Sequence, residues 1–300
     1  MSREGPPKPS LRSLVLGCSN EVFRKMEKLV ITVAPTGSVP KKSINPHVPI
    51  TPEEIIGEGV RCEAAGAAVI HIHARNPKDE SPSPDYHLFE EIYGGLKEKT
   101  NLILQISTGG RAGMTYDKRA ERLKLRPEMA SLTTGSVNFP DSIYENSPSL
   151  IEALAKDMLA YGIKPEMEIF DTSMIANALD LARKKLALTP LHFDFVMGLK
   201  GAIPATIENL VHLRSSIPSD ATWTVAGVGP SQLTMGVHSI LMGGHVRVGL
   251  EDNVYYRRGE PATNVRLVER IVRLAAELGR DVATPDEARR IMNLRRGTAS

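Results

Sequence analysis

Residues 68–75 read Ala-Val-Ile-His-Ile-His-Ala-Arg, and the fold follows from how this stretch alternates. The run is short and apolar and carries β-branched residues, which marks a buried strand. Side chains along a strand point to opposite faces in turn, so His71 and His73 share one face while Ile70 and Ile72 share the other. The two histidine Cα atoms then lie about 6.5–7 Å apart, twice the rise per residue. At that spacing two imidazoles can converge on one ion. The isoleucines pack against helices, which turns the histidines towards the interior of the sheet.

Seven more runs of the same kind flank this one. They occupy residues 29–35, 102–108, 129–136, 165–171, 191–198, 222–229 and 245–252. Amphipathic stretches separate them. After the first run, Thr51, Pro52 and Glu54 form a capping box with proline at the first helical position. Ile56, Val60, Ala64 and Ala67 follow as one apolar stripe, with Gly66 near the helix end. Near the C-terminus Val268, Ile271, Val272, Ala275 and Leu278 keep helical spacing, and Thr284, Pro285 and Glu287 repeat the cap signature for a short terminal helix. Eight strands alternating with helices imply a parallel sheet. Closure into a (β/α)8 TIM barrel is the leading architecture, in a single domain over residues 28–300. An open doubly wound sheet is the second choice, but no G-x-G-x-x-G follows the first strand. Residues 1–27, punctuated by Pro6, Pro7 and Pro9, read as an N-terminal extension without the apolar core of a signal peptide. Met26 is a candidate alternative start.

The eighth run mirrors the second. Arg247, Gly249 and Glu251 share a face opposite Val246, Val248 and Leu250. Barrel closure brings strand eight beside strand one, and strand one beside strand two, so Glu251 reaches the space of the two histidines. Two histidines and a carboxylate leave open positions on a divalent ion, as a catalytic metal site requires. Zinc, Fe(II) and Mn(II) all accept this set. His-x-His alone is not specific, and a strand histidine is more commonly a satisfied core or rim residue. Further polar residues gather at strand ends: Gln105, Ser107, Ser131, Thr133, Glu168, Asp171, Asp252 and Asn253. Each has a plain reading as a cap, turn or layer-filling group, but together they mark one end of the barrel as the chemical end. Gly227, Gly229, Gly243 and Gly244 could serve a phosphate site, yet ordinary turns explain them as well.

The bulk numbers exclude several classes. Three hundred residues suit a barrel with trimmings. With 41% hydrophobic and 24% charged residues the composition is that of a globular protein. A net charge of +2 gives no electrostatic case for nucleic acid or an anionic membrane. Cys18 and Cys62 are the only cysteines, so a disulfide framework is absent and a reducing cytoplasm is expected. No apolar run is long enough to span a bilayer.

The segments T-V-A-P-T-G-S-V-P (32–40), N-P-H-V-P-I-T-P-E-E (45–54), H-I-H-A-R (71–75), Q-I-S-T-G-G (105–110), P-E-M-A-S-L (127–132) and G-G-H-V-R-V-G-L-E-D-N (243–253) occur in one order. That ordered set resembles the β-keto acid cleavage enzymes, and among them the 3-keto-5-aminohexanoate cleavage enzymes. The resemblance runs from about residue 29 to about residue 293. It implies a zinc-dependent barrel that converts a β-keto acid and acetyl-CoA into acetoacetate and a new acyl-CoA, as a homotetramer or dimer of dimers. It places His71, His73 and Glu251 on the metal, makes Arg247 and Asp252 the catalytic pair, and puts Ser107, Ser131 and Glu168 in the substrate pocket. Position 131 carries threonine in the relatives that handle the aminated acid. Those relatives also carry a glutamate for the substrate's amino group where this chain has Val39. A substrate without an amino group is therefore expected.

The residue chemistry is compatible with that resemblance. A β-keto acid can chelate a metal, which acts as a Lewis acid. Claisen-type bond formation needs a base for a proton α to the thioester; Asp252 beside Arg247 is the candidate dyad, with either member open as the proton carrier and a purely electrostatic role open for Arg247. Arg111 is a candidate for the CoA phosphates. Two rivals remain: a metal-dependent aldolase or lyase that does not use CoA, and a non-catalytic barrel that binds a ligand or partner.

Overall fold

Strands that run parallel must be joined by crossovers, and each short apolar run of this chain is followed by a helix that supplies one. The structure, a computed structural model, describes residues 26–110, 114–139 and 142–294. The strands are β1 (Ile31–Val33), β2 (Val69–Ile72), β3 (Ile103–Ile106), β4 (Met129–Thr133), β5 (Lys164–Ile169), β6 (His192–Met197), β7 (Thr222–Gly227) and β8 (His245–Val248). The helices are α1 (Pro52–Ala65), α2 (Tyr86–Lys99), α3 (Tyr116–Ala120), α4 (Pro148–Tyr161), α5 (Ser173–Arg183), α6 (Ile207–Ser215), α7 (Ser231–Leu241), α8 (Asn264–Glu277) and α9 (Pro285–Ile291). The eight strands close into one parallel barrel in chain order. β1 is the seam: Thr32 stands opposite Arg247 of β8 on one side and Val69 of β2 on the other. The expected (β/α)8 barrel is therefore the fold.

The local signals hold where helices begin. Thr51 and Glu54 cap α1 reciprocally, and Thr284 and Glu287 do the same for α9. Gly66 ends α1 in the left-handed region at φ 113°. Two elements were not expected. A hairpin of Val137–Phe139 and Ser142–Tyr144 follows β4, and a second, of Tyr255–Arg257 and Glu260–Pro261, follows β8. Both are too short to carry a readable period. The N-terminal extension lies outside the described residues up to residue 25, and Arg111 lies outside them as well.

Outward strand residues such as Ile31, Ile70, Ile72 and Val246 join the helices in an apolar layer. The inward set is different. The lower end is closed by Val30, Val69, Ile103 and Met129 against Ala288 and Met292 at α9. Above them the barrel interior is polar and buried: His71, Gln105, Ser131, Glu166, Glu168, His192, Asp194, Thr224 and Arg247. Arg247 of β8 comes within 3.8 Å of Glu168 on β5, across the barrel. The chemistry therefore sits towards the C-terminal mouth, as in other barrels.

The exit from β8 is the tightest passage. Gly249 has φ 145°, and a Cβ there would stand 2.0 Å from the carbonyl oxygen of Ala34. The chain can then bring the Glu251 amide to donate to that same carbonyl at 3.1 Å. Gly249→Ala should cost about 2–3 kcal/mol, read as a lowered urea midpoint at unchanged m-value. An unaltered midpoint would show that β8 can leave the barrel by another route.

Candidate functional site

His71 and His73 project from β2 and from the residue just past its end. Their ring centroids are 5.2 Å apart. Glu251, on the turn after β8, places Oε1 at 4.0 Å from His71 Nε2 and 3.5 Å from His73 Nε2. One ligand atom from each residue lies within 4.8 Å of the other two. The β1–α1 loop backs the carboxylate: a Cβ on Gly37, at φ 63°, would fall 2.3 Å from Glu251 Cγ. Arg75 holds that loop, donating to the Gly37 carbonyl at 3.0 Å. Glu251 Oε2 is buried with no hydrogen-bond partner. Two imidazoles and a carboxylate with an orphaned oxygen are a suitable donor set for a divalent ion.

Gln105 completes the support of His71. Its Oε1 lies 2.5 Å from His71 Nδ1, and the residue is fully buried. A carbonyl oxygen only accepts, so Nδ1 carries the proton and Nε2 presents its lone pair to the site. Burial, and after it Arg247, push the imidazole down to about 4, which keeps it neutral.

Arg247 is the centre of the charge arrangement. Nε and Nη2 donate to Asp252 at 2.9 and 3.0 Å, and Nη2 also donates to Glu251 at 2.7 Å. Nη1 faces Asp194 at 3.5 Å and Glu168 at 3.8 Å. Burial opposes the charge on Arg247, but Asp252 and Glu251 outweigh it and hold the guanidinium protonated. Burial likewise opposes the Glu251 carboxylate, and Arg247 and His73 outweigh it. Asp252 is pushed up to about 6 by burial against the pull of Arg247, which suits a carboxylate that takes and returns a proton near neutral pH. Asp194 rises because it is buried beside Glu166. Glu166, Glu168 and Asp194 also bring carboxylate oxygens together, but two of the three already face Arg247.

The pocket residues expected from sequence sit around this centre, with one exception. Ser107 Oγ accepts from the Gly109 amide at 3.2 Å, and Ser131 Oγ accepts from the Thr108 amide at 3.3 Å. Each hydroxyl hydrogen is left to donate. Glu168 accepts from the Thr133 hydroxyl, which also meets Tyr144 Oη at 3.1 Å. Val39 stands on the rim loop, 69% exposed and outside the cluster. The four glycines serve tight packing and turns; a Cβ on Gly244 would lie 2.5 Å from the Trp223 ring. Sequence reasoning missed Tyr144, carried by the first hairpin, and assigned no role to Glu166, His192 or Asp194. Their inward parity on β5 and β6 is the signal that could have found them.

Comparison with known proteins agrees in kind. The family model for beta-keto acid cleavage enzymes matches residues 28–294. The 3-keto-5-aminohexanoate cleavage enzyme of Acetoanaerobium sticklandii is 48% identical over 272 residues, covering 90% of this chain and 99% of that protein. The 3-oxoadipate:acetyl-CoA acetyltransferase of Cupriavidus necator is 46% identical over 270 residues, covering 88% of this chain and 94% of that protein. Among solved structures, apo ObcA superposes with a TM-score of 0.71 at 23% identity, covering 83% of this chain and 66% of that one, a likeness of fold.

Glu168 gives the site a measurable pH signature. Its carboxyl is pushed from 4.5 up to about 7, first by burial and against Arg247. The folded state therefore keeps a proton that the unfolded chain releases above 4.5. The associated stability is fully present below that value and is lost as pH rises through about 7. Between about pH 4.5 and 8 the loss should be roughly 3 kcal/mol. Glu168→Gln, which mimics the neutral acid, should remove that part of the decline in urea titrations of metal-stripped protein. Equal declines in parent and variant would mean that Glu168 is already ionised in the folded state.

Proposed function

Because the chain belongs to the family of beta-keto acid cleavage enzymes, we propose that it is a zinc-dependent acyltransferase acting on a β-keto acid and acetyl-CoA, and that the acid lacks an amino group. The observation that carries the reading is the meeting of His71, His73 and Glu251 beside the Arg247–Asp252 pair. The relatives' printed names change the acid, from 3-keto-5-aminohexanoate to 3-oxoadipate. We take acetyl-CoA as co-substrate, in line with the name of the Cupriavidus protein.

His71 Nε2, His73 Nε2 and Glu251 would hold the ion, which supplies Lewis-acid stabilisation of negative charge on the keto oxygen. Carbon balance puts the abstracted proton on the keto acid rather than α to the thioester. Acetoacetate must combine the acetyl group with the acid's own CH2–COO− unit. Asp252 removes a proton from the carbon between ketone and carboxylate, and that carbon attacks the thioester carbonyl, releasing CoA thiolate. The thiolate adds to the original ketone. The bond between that carbonyl and the α carbon breaks, its electron pair stays on acetoacetate, and the proton held by Asp252 returns there. The acyl-CoA leaves.

In this scheme Asp252 rather than Arg247 carries the proton, since its neighbours hold Arg247 protonated. Arg247 orients the carboxylate through two hydrogen bonds. The free O–H groups of Ser107 and Ser131 donate to the substrate carboxylate or to the developing oxyanion. Glu168 lines the same pocket. The same reading places the protein in the cytoplasm as a homo-oligomer.

Val39 offers an ammonium group no charged partner. In a panel of β-keto acids, 3-oxohexanoate should show a higher kcat/KM than 3-keto-5-aminohexanoate, with acetoacetate formed only when acetyl-CoA is present. Val39→Glu should raise kcat/KM for the aminated acid about fivefold, the worth of one exposed ion pair. Cleavage of the keto acid without acetyl-CoA would favour a lyase, and preference of the parent for the aminated acid would overturn the role of Val39. For the metal, Gln105→Leu should weaken zinc binding roughly 10–100-fold in chelator competition, whereas Gln105→Glu, which keeps the acceptor, should not. Equal affinity in all three proteins would remove Gln105 from the support of the site.

A further inference from the structure

The hairpin after β8 is an arm tied to the reacting end of the barrel. It leaves directly after Asp252. The Asn253 side chain donates to the Tyr255 carbonyl at 2.7 Å and accepts from the Tyr255 amide at 3.1 Å. Fully buried Asn45, on the β1–α1 loop, clamps both ends of the arm through the carbonyls of Val254 at 2.8 Å and Ala262 at 2.9 Å. The arm is therefore fixed relative to the catalytic carboxylate.

Its charge is out of proportion to the rest of the chain. Residues 255–273 hold five arginines against two glutamates, in a protein whose net charge is +2. The arginines also converge. The guanidinium carbons of Arg266 and Arg270 lie 4.1 and 3.6 Å from the Tyr256 ring centroid. Arg273 donates to the Tyr256 hydroxyl at 3.2 Å. Glu260 compensates Arg257 and Arg266. No ion pair among the described residues compensates Arg258, Arg270 or Arg273, and Arg270 Nε is buried without a hydrogen-bond partner. Burial, and then Arg266 and Arg273, weaken proton binding by Arg270. Clustered like charges repel unless an anion is shared between them, and arginine matches phosphate oxygens in geometry.

We propose that this arm, with the arginines of α8, binds the phosphate-bearing end of the CoA thioester: Arg258, Arg270 and Arg273 face the phosphates. The assignment rests on the acyl-transfer reading. In that substrate a long pantetheine arm separates the reacting carbonyl from the phosphates. The nucleotide must then rest outside the barrel while the thioester reaches into it, and the arm runs from Asp252 to the rim.

The deciding probe is adenosine 3′,5′-bisphosphate, titrated calorimetrically into the metal-loaded parent and into the R258E/R273E variant. Binding to the variant should be weaker by roughly tenfold or more, the effect of losing charge-assisted hydrogen bonds. The KM for acetyl-CoA should rise by a similar factor. The KM for S-acetyl-N-acetylcysteamine, which lacks the nucleotide, and the KM for the keto acid should stay the same. Unchanged bisphosphate binding in the charge-reversed variant overturns the proposal, as does an equal loss with both thioesters. A change in oligomer mass with unchanged bisphosphate binding would make the arm a contact between subunits instead, which also overturns it. If the parent turns over neither thioester, the acyl-transfer reading falls, and the bisphosphate titration still decides whether the arm binds phosphates.

Discussion

One buried arginine makes the interior of this barrel possible. Glu168, Asp194, Glu251 and Asp252 all approach Arg247, and an unpaired buried carboxylate is among the most costly groups a fold can carry. One cation cannot neutralise four anions. The remainder is settled by where each carboxyl stands. Glu251 is held ionised by Arg247 and His73, whereas burial raises Asp252 to about 6 despite its two hydrogen bonds to Arg247. Those facing only Nη1 at longer range hold protons more tightly, and so Asp194 rises and Glu168 reaches about 7. The spread of proton affinities follows from geometry around a single side chain, and it separates a carboxylate suited to binding an ion from one suited to moving a proton.

Glu251 stands between two cationic demands. Oε1 is shared by Arg247 and the two imidazoles, while Oε2 is buried without a partner. A fold assembled only for stability would not leave that oxygen buried and unpaired. The same holds for the side-chain nitrogen of Gln105, whose oxygen is spent on His71. These unsatisfied groups sit where the donor set converges, and their cost is offset by the apolar layer outside the barrel and by the closed lower end at α9.

How much of this could be read beforehand follows from period. A strand's alternation is strict, so β2 and β8 declared their inward residues; Glu251 lies past the end of β8, where the Gly249 turn and the Ala34 carbonyl, rather than alternation, bring it to the histidines. The caps at Thr51 and Thr284 were equally legible because their hydrogen bonds are local. The two hairpins were not, since three-residue strands show no period and their pairing is decided by what lies beneath them. Tyr144 was lost for that reason. Glu166, His192 and Asp194 had the right parity, but parity alone cannot distinguish a polar residue inside a barrel from one at a solvated rim. Only the closed barrel, with Arg247 reaching across it, makes that distinction.

The division between strands and loops also explains how relatives close to half identical can carry names with different acids. Groups that would act on the keto and carboxylate functions sit on strands or within a few residues of strand ends, where rigid backbone sets them. In the proposed reading the substituent of the acid would point towards the mouth, where the β1–α1 loop carries Val39 and the first hairpin carries Tyr144. A substitution at exposed Val39 would alter contacts with the substituent and leave the buried charge balance around Arg247 intact, whereas Gly37 packs on Glu251 and Tyr144 meets the Thr133 hydroxyl that donates to Glu168. A substitution among the inward strand residues changes that balance for every carboxylate at once. Specificity can therefore vary on the rim while the chemistry of the interior stays constant.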